Sequence, residues 1–134
     1  MPTPVGPYSP FVKAGDLVVI SGQLGIIEGA HGAPTLVGPG TAAQLGQALG
    51  MAGQEARARA ILADLEALSR TQYVAAYYLA HVHTGLGERD AAIDCLERAL
   101  KDRSGAIYGI KGSYLFAGLR DHPRFQALLR RMNL

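Results

Sequence analysis

The residue types most often used in metal binding are sparse in this chain, and two of its four histidines stand close together. His81 and His83 are two positions apart in a helical stretch, so their side chains point in different directions. Zinc ligands on a helix need i, i+4 spacing and further ligands elsewhere. The spacing therefore argues against a metal site, and we expect no cofactor. It predicts two partly exposed helix histidines instead.

Nucleophilic and phosphate chemistry have equally thin support. Cys95, the single cysteine, stands among apolar neighbours, where a free cysteine is commonly a small core residue. A Cys–His pair stays open, because the sequence does not show which histidine lies near the thiol. The stretch "GLGERD" lacks the Lys-Ser/Thr that completes a phosphate-binding loop, and it predicts a turn between helices. We therefore assign no catalytic residue.

Three tyrosines, Tyr73, Tyr77 and Tyr78, are the densest aromatic group. Two interpretations stay open at this point. The rings could form a patch that faces a ligand, or they could pack between helices with their hydroxyls reaching solvent.

Composition limits the class of protein. The chain has 134 residues, of which 49% are hydrophobic and 18% charged, values typical of a globular protein. No apolar run approaches the ~20 residues of a membrane helix. With one cysteine and no pattern of a secretion signal, we expect a cytoplasmic protein. The basic residues near the C-terminus lack the dense stripe of a nucleic-acid binder, so we expect neither a membrane nor a nucleic acid as partner.

Residues 1–40 and 41–134 differ in character and predict two regions. The first is rich in Pro, Gly, Val and Ile, and Ala14-Gly15-Asp16 is a natural turn between the apolar segments "FVK" and "LVVIS". This pattern predicts an N-terminal β-hairpin, followed by a loop over 28–40. From Thr41 the apolar spacing becomes helical. The fold class is therefore mainly α, in the α+β sense.

The helical region predicts a first helix at 41–52, with others over "EARARAILADLEALS", within "TQYVAAYYLAHVHTGLG" and within "RDAAIDCLERALKD". A looser stretch, "RSGAIYGIKGSYLFAGLR", follows. The terminal helix spans about 121–132. Asp121 is its predicted N-cap, and Pro123 falls in its first turn.

A repeat lies inside the helical region. At a shift of 34 residues, Gly53 maps to Gly87, Ala58 to Ala92 and Leu62 to Leu96. A period of 34 with two helices per unit is the tetratricopeptide repeat (TPR) signature. The stretches "LGQALGMAGQEARARAILADLEAL" and "YLAHVHTGLGERDAAIDCLERAL" resemble two TPR units, about 39–72 and 73–106.

The TPR resemblance implies a non-enzymatic interaction or scaffold module with a protein or peptide partner. In that family the first helix of each pair lines a concave groove that holds the partner. The matching positions here are Gln47, Met51, Tyr77, His81 and Thr84. Our first functional hypothesis is an interaction module of this kind.

The opening stretch "GPYSPFVKAGDLVVISGQLG" resembles the start of the Rid family of enamine and imine deaminases. That resemblance implies a pocket between subunits, lined here by Tyr8, Ser21 and Gly22. Arg103, in "DRSGAIYGI", resembles the family's substrate-binding arginine, although glycines interrupt the strand pattern around it. The alternative hypotheses are a small Rid-like deaminase and a chimera of the two families, with a fold but no evolved function.

Self-association is expected from the opening segment. A lone hairpin is marginally stable in water, and an uncovered apolar strand edge promotes pairing. We predict that "LVVIS" packs on the first helices or pairs with a second copy, which gives a homo-oligomer. A monomer that stays monomeric at every concentration in analytical ultracentrifugation would count against this prediction.

Overall fold

The computed structural model describes residues 39–134 in full and the backbone of 11–14, 17–20, 26–28 and 34–36. Strands β1 (Phe11–Ala14) and β2 (Leu17–Ile20) are antiparallel, and Ala14 pairs with Leu17. This register suits a two-residue connection. The connecting residues lie outside the described ranges, so the hairpin stays a prediction.

A second antiparallel pair follows. Strand β3 (Ile26–Glu28) pairs with β4 (Pro34–Leu36), which falls within the stretch predicted as a loop. The chain divides into two compact units, residues 1–41 and 42–134. The second unit carries the candidate functional site.

Residues 39–134 are helical, which confirms the predicted helical character of this region. The helices are α1 (Pro39–Met51), α2 (Glu55–Leu68), α3 (Ala76–Gly85), α4 (Arg89–Lys101) and α5 (Pro123–Arg131). The looser stretch between α4 and α5 forms two short 3-10 elements, Gly105–Gly109 and Tyr114–Leu119. We call the second of these the 3-10 segment.

Helices α1 and α3 end with the same backbone geometry. Gly53 and Gly87 both have a φ of 76°, the left-handed conformation that favours glycine just beyond a helix end. The next residue then bonds back to the helix: the Gln54 amide donates to the Leu49 carbonyl at 2.8 Å, and the Glu88 amide to the His83 carbonyl at 2.9 Å. The 34-residue spacing seen in the sequence therefore recurs in the hydrogen bonding.

The core of this unit lies between the five α-helices and the two 3-10 elements, since each of them contributes buried apolar side chains. Small residues allow close packing, because Ala58, Ala92 and Ala99 are fully buried. Larger side chains fill the remaining space. The largest fully buried ones are Val82, Ile93, Leu96, Ile107, Ile110, Phe116, Leu119, Phe125 and Leu128.

The N-cap of helix α5 differs from the predicted one. The N-cap is His122, whose Nδ1 accepts from the Arg124 amide at 3.3 Å, so the assignment to Asp121 was wrong. Pro123 does lie in the first turn, as predicted. The Arg124 guanidinium then joins α5 to α4 through the carboxylates of Asp94, at 2.6 Å, and Glu97, at 2.9 Å. Together with the buried Phe125, these contacts fix the terminal helix on the core.

Candidate functional site

The site begins where α1 crosses α3. A Cβ atom built on Gly85 would lie 2.6 Å from the Cα of Gln47, and one built on Gly50 would lie 2.6 Å from the Gly85 carbonyl oxygen. Real Cβ atoms essentially never approach other atoms this closely. The two backbones therefore touch only because both positions are glycine. This contact places Gln47 of α1 beside His81 of α3.

Gln47 links three elements through its side-chain amide. Its Nε2 donates to the Leu115 carbonyl of the 3-10 segment at 2.6 Å, and its Oε1 lies 2.7 Å from Nδ1 of His81. Gln47 and His81 are each only 2% exposed. We call this set of Gln47, His81 and the Leu115 main chain the Gln47 network. Its members follow one another at intervals of 34 residues.

The hydrogen-bond partners determine the protonation of His81. A main-chain carbonyl can only accept, so the Gln47 amide nitrogen must face Leu115. The amide oxygen then faces His81, and Nδ1 must carry the proton that it donates. The neutral ring is therefore the Nδ1–H tautomer, with its lone pair on Nε2.

Aromatic rings surround His81. The Tyr77 ring meets it edge to face, with ring centroids 4.8 Å apart, and the fully buried Phe116 ring lies 4.9 Å away. This burial lowers the pKa of His81 to about 4. Burial likewise raises the pKa of the Tyr77 hydroxyl. Both side chains are uncharged near neutral pH.

A small groove lies on the Gln47 network. Its volume is about 320 Å³, at the lower end of the range for ligand sites, enough for one or two side chains. The described residues that line it are all uncharged: Gln44, Gln47, Ala48, Met51, Tyr114 and Leu115. Met51 is 74% exposed and Tyr114 is 79% exposed, so two large side chains stand at the groove with most of their surface in solvent.

Of the five residues predicted to face a groove, some line it and others lie beneath its surface or elsewhere on α3. Gln47 and Met51 line the groove itself. His81 lies within the Gln47 network, and Tyr77 packs against it. Thr84 donates its hydroxyl to the Ala80 carbonyl of its own helix, at 2.7 Å.

His81 requires a correction, because the sequence predicted a partly exposed side chain and the structure buries it. The helical pattern alone does not show that the 3-10 segment covers this position. Sequence reasoning also missed Tyr114 and Leu115, which line the groove. One signal could have found them, since Leu115 is two 34-residue periods after Gln47.

Of the four residues in the Rid resemblance, the structure describes Arg103 alone. Tyr8, Ser21 and Gly22 lie outside the described residues. Arg103 is exposed and has a φ of 54°, in the turn where the Ser104 amide donates to the Ala99 carbonyl at the end of α4. The structure thus places Arg103 in a turn that ends a helix and not on a strand.

Other chemistry has little support in the part of the chain that the structure describes. No group of three or more His, Cys, Asp or Glu residues in that part is arranged to hold a metal ion. Cys95 is buried, and burial raises the pKa of its thiol, which disfavours the reactive thiolate. Among the same residues, no helix combines the length and the apolar character that a membrane crossing requires.

Comparison with known proteins adds no relative. No family model matches the chain, and no curated protein or solved structure is significantly similar to it.

Proposed function

We propose that residues 41–134 are a non-enzymatic interaction module of the TPR kind, which binds a peptide segment of a partner protein in the groove. The observation that carries the proposal is the contact of Gln47, His81 and Leu115 across successive 34-residue intervals. In a stack of helical repeats, equivalent positions of neighbouring units face one another along a shared surface. Two of these three residues, Gln47 and Leu115, line the groove.

The chemistry of the groove suggests what it would bind. Its described lining is uncharged, so a charged peptide would gain no ion pair there. Met51 and Tyr114 offer apolar surface, and Gln44, exposed on α1, offers an amide to peptide main-chain groups. An extended segment with one or two apolar side chains fits this lining. Exposed aromatic and methionine side chains of this kind are common at binding surfaces.

Selection from a displayed library of random peptides tests the proposal. We expect enrichment of sequences with apolar side chains and low net charge, which bind the purified chain in fluorescence polarisation. Combined substitution Met51→Ala and Tyr114→Ala should weaken that binding at least about tenfold, since truncation of a hot-spot residue, a class in which tyrosine is enriched, costs about 2 kcal/mol or more.

The matched control is Tyr108→Ala. Tyr108 is also an exposed tyrosine, 60% accessible, but it does not line the groove. Its substitution should leave peptide affinity unchanged. The proposal is wrong if no peptide is enriched, or if enriched peptides bind the groove variant as well as the original chain.

A further inference from the structure

The Gln47 network brings a buried titratable ring into contact with Gln47, a residue that lines the groove. His81 Nδ1 donates a hydrogen bond to Oε1 of Gln47, and Nε2 of Gln47 donates one to the Leu115 carbonyl. Gln47 and Leu115 both line the groove. Any change in the hydrogen bonding of His81 therefore acts on two groove residues, one on α1 and one on the 3-10 segment.

Proton uptake by His81 has no compensating partner in the surroundings described. α1 presents the Gln47 amide, which the ring already contacts, and the 3-10 segment presents the Phe116 ring and the Leu115 carbonyl. α3 itself presents Tyr77, whose ring contacts His81. Tyr77 is the titratable neighbour among these groups, and its phenol is neutral in acid. A second proton, on Nε2, would thus create a buried cation without a carboxylate beside it.

We infer that the Gln47 network is an acid-operated clasp, in which protonation of His81 frees α1 and the 3-10 segment from each other and opens the groove. The ring must become hydrated to carry a charge at low cost, and movement of Gln47 or Phe116 away from it would admit water. We expect helices α3 and α4 to keep their packing in this opened state, because Ile93, Leu96 and Ala99 of α4 are fully buried and lie outside the Gln47 network. The clasp concerns the folded chain and does not depend on whether the groove binds a peptide.

The sign of the pH effect follows from the two pKa values. In the opened state the ring is hydrated, with an ordinary pKa near 6.5, and in the closed state burial lowers the pKa to about 4. Between these limits the opened state binds more protons, so each unit of acidification favours opening by up to about tenfold. From pH 6.5 to pH 4.5 the opening equilibrium should shift roughly 40-fold.

Hydrogen exchange of the folded chain, followed by NMR and corrected for the intrinsic pH dependence of exchange, measures this opening. Protection of α1 amides such as that of Leu49 should fall roughly 40-fold from pH 6.5 to pH 4.5. Protection of the Leu96 amide in α4 should change much less. A parallel loss in α1 and α4 would overturn the inference, since it would show global destabilisation and no local clasp.

Two variants distinguish the effect of His81 protonation on α1 protection from the effect of carboxylates that also titrate in acid. His81→Asn keeps an amide donor close to the position of Nδ1 and removes the titration, so the acid-dependent loss of α1 protection should disappear. Gln47→Met removes both hydrogen bonds at similar side-chain length. It should leave α1 poorly protected already at neutral pH, with no further loss in acid. An unchanged acid response in either variant would also overturn the inference.

Discussion

Replacement of Gly85 by alanine is expected to destabilise residues 42–134 by about 3 kcal/mol, the upper part of the usual range for overpacking. The added Cβ would lie 2.6 Å from the Cα of Gln47, which is a backbone atom. A side chain could rotate away from such a clash, but a backbone atom of a packed helix moves only with the helix. The substitution therefore forces α1 away from α3 and breaks the contact on which the Gln47 network depends.

Gly87→Ala is the matched control, because it lies two residues away and lacks the close contact. Nothing lies within 4 Å of a Cβ built on Gly87. The remaining destabilisation comes from its φ of 76°, a left-handed conformation that costs a non-glycine residue about 1–2 kcal/mol. Gly118→Ala, with open space and no positive φ, should change stability by less than about 0.5 kcal/mol. Urea denaturation measures all three free energies of unfolding. A loss at Gly85 no larger than at Gly87 would contradict the close crossing.

Replacement of Phe116 by alanine is expected to cost about 3–5 kcal/mol, the usual range for a buried phenylalanine. The ring is fully buried and lies 4.9 Å from His81 and 5.6 Å from Tyr77, measured between ring centroids. Its loss leaves a cavity beside the Gln47 network. Water in that cavity would hydrate His81, so the pKa of this histidine should rise from about 4 toward its ordinary value.

Two measurements check this expectation independently. Urea denaturation gives the loss of stability, and an NMR titration of the histidine ring protons gives the pKa. Phe116→Leu, which keeps most of the apolar volume, should lose much less stability and leave the pKa of His81 low. A small loss for Phe116→Ala with an unchanged histidine titration would show that this ring does not cover His81.

The helices were accessible to sequence reasoning for a physical reason. Each buries one apolar stripe, so the spacing of residues such as Leu62 and Leu65 marks both the helix and its inner face. Gly53 and Gly87 mark helix ends because a left-handed residue is required there. Both features depend on residues close together in the chain, so they can be read from the sequence alone.

The site was much less accessible, because it depends on contacts between distant residues. Burial of His81 comes from Gln47 and from the 3-10 segment, whose six residues are too short a stretch to show a helical period. The choice of His122 over Asp121 as N-cap depends on an extended backbone at one position, and both residue types can accept an amide there. Spacing could point to Leu115, but only the folded chain shows that a main-chain carbonyl is the partner of Gln47.

The most direct test of the Gln47 network is the tautomer of His81. NMR reads it from the nitrogen shifts of the ring at pH 7, and the His81→Asn variant assigns the signals. The hydrogen bonds of Gln47 predict a neutral ring protonated on Nδ1, with an unprotonated Nε2 and a pKa well below the ordinary value near 6.5. A ring protonated on Nε2, or one that titrates at the ordinary value of an exposed histidine, would contradict the Gln47 network and the groove built on it.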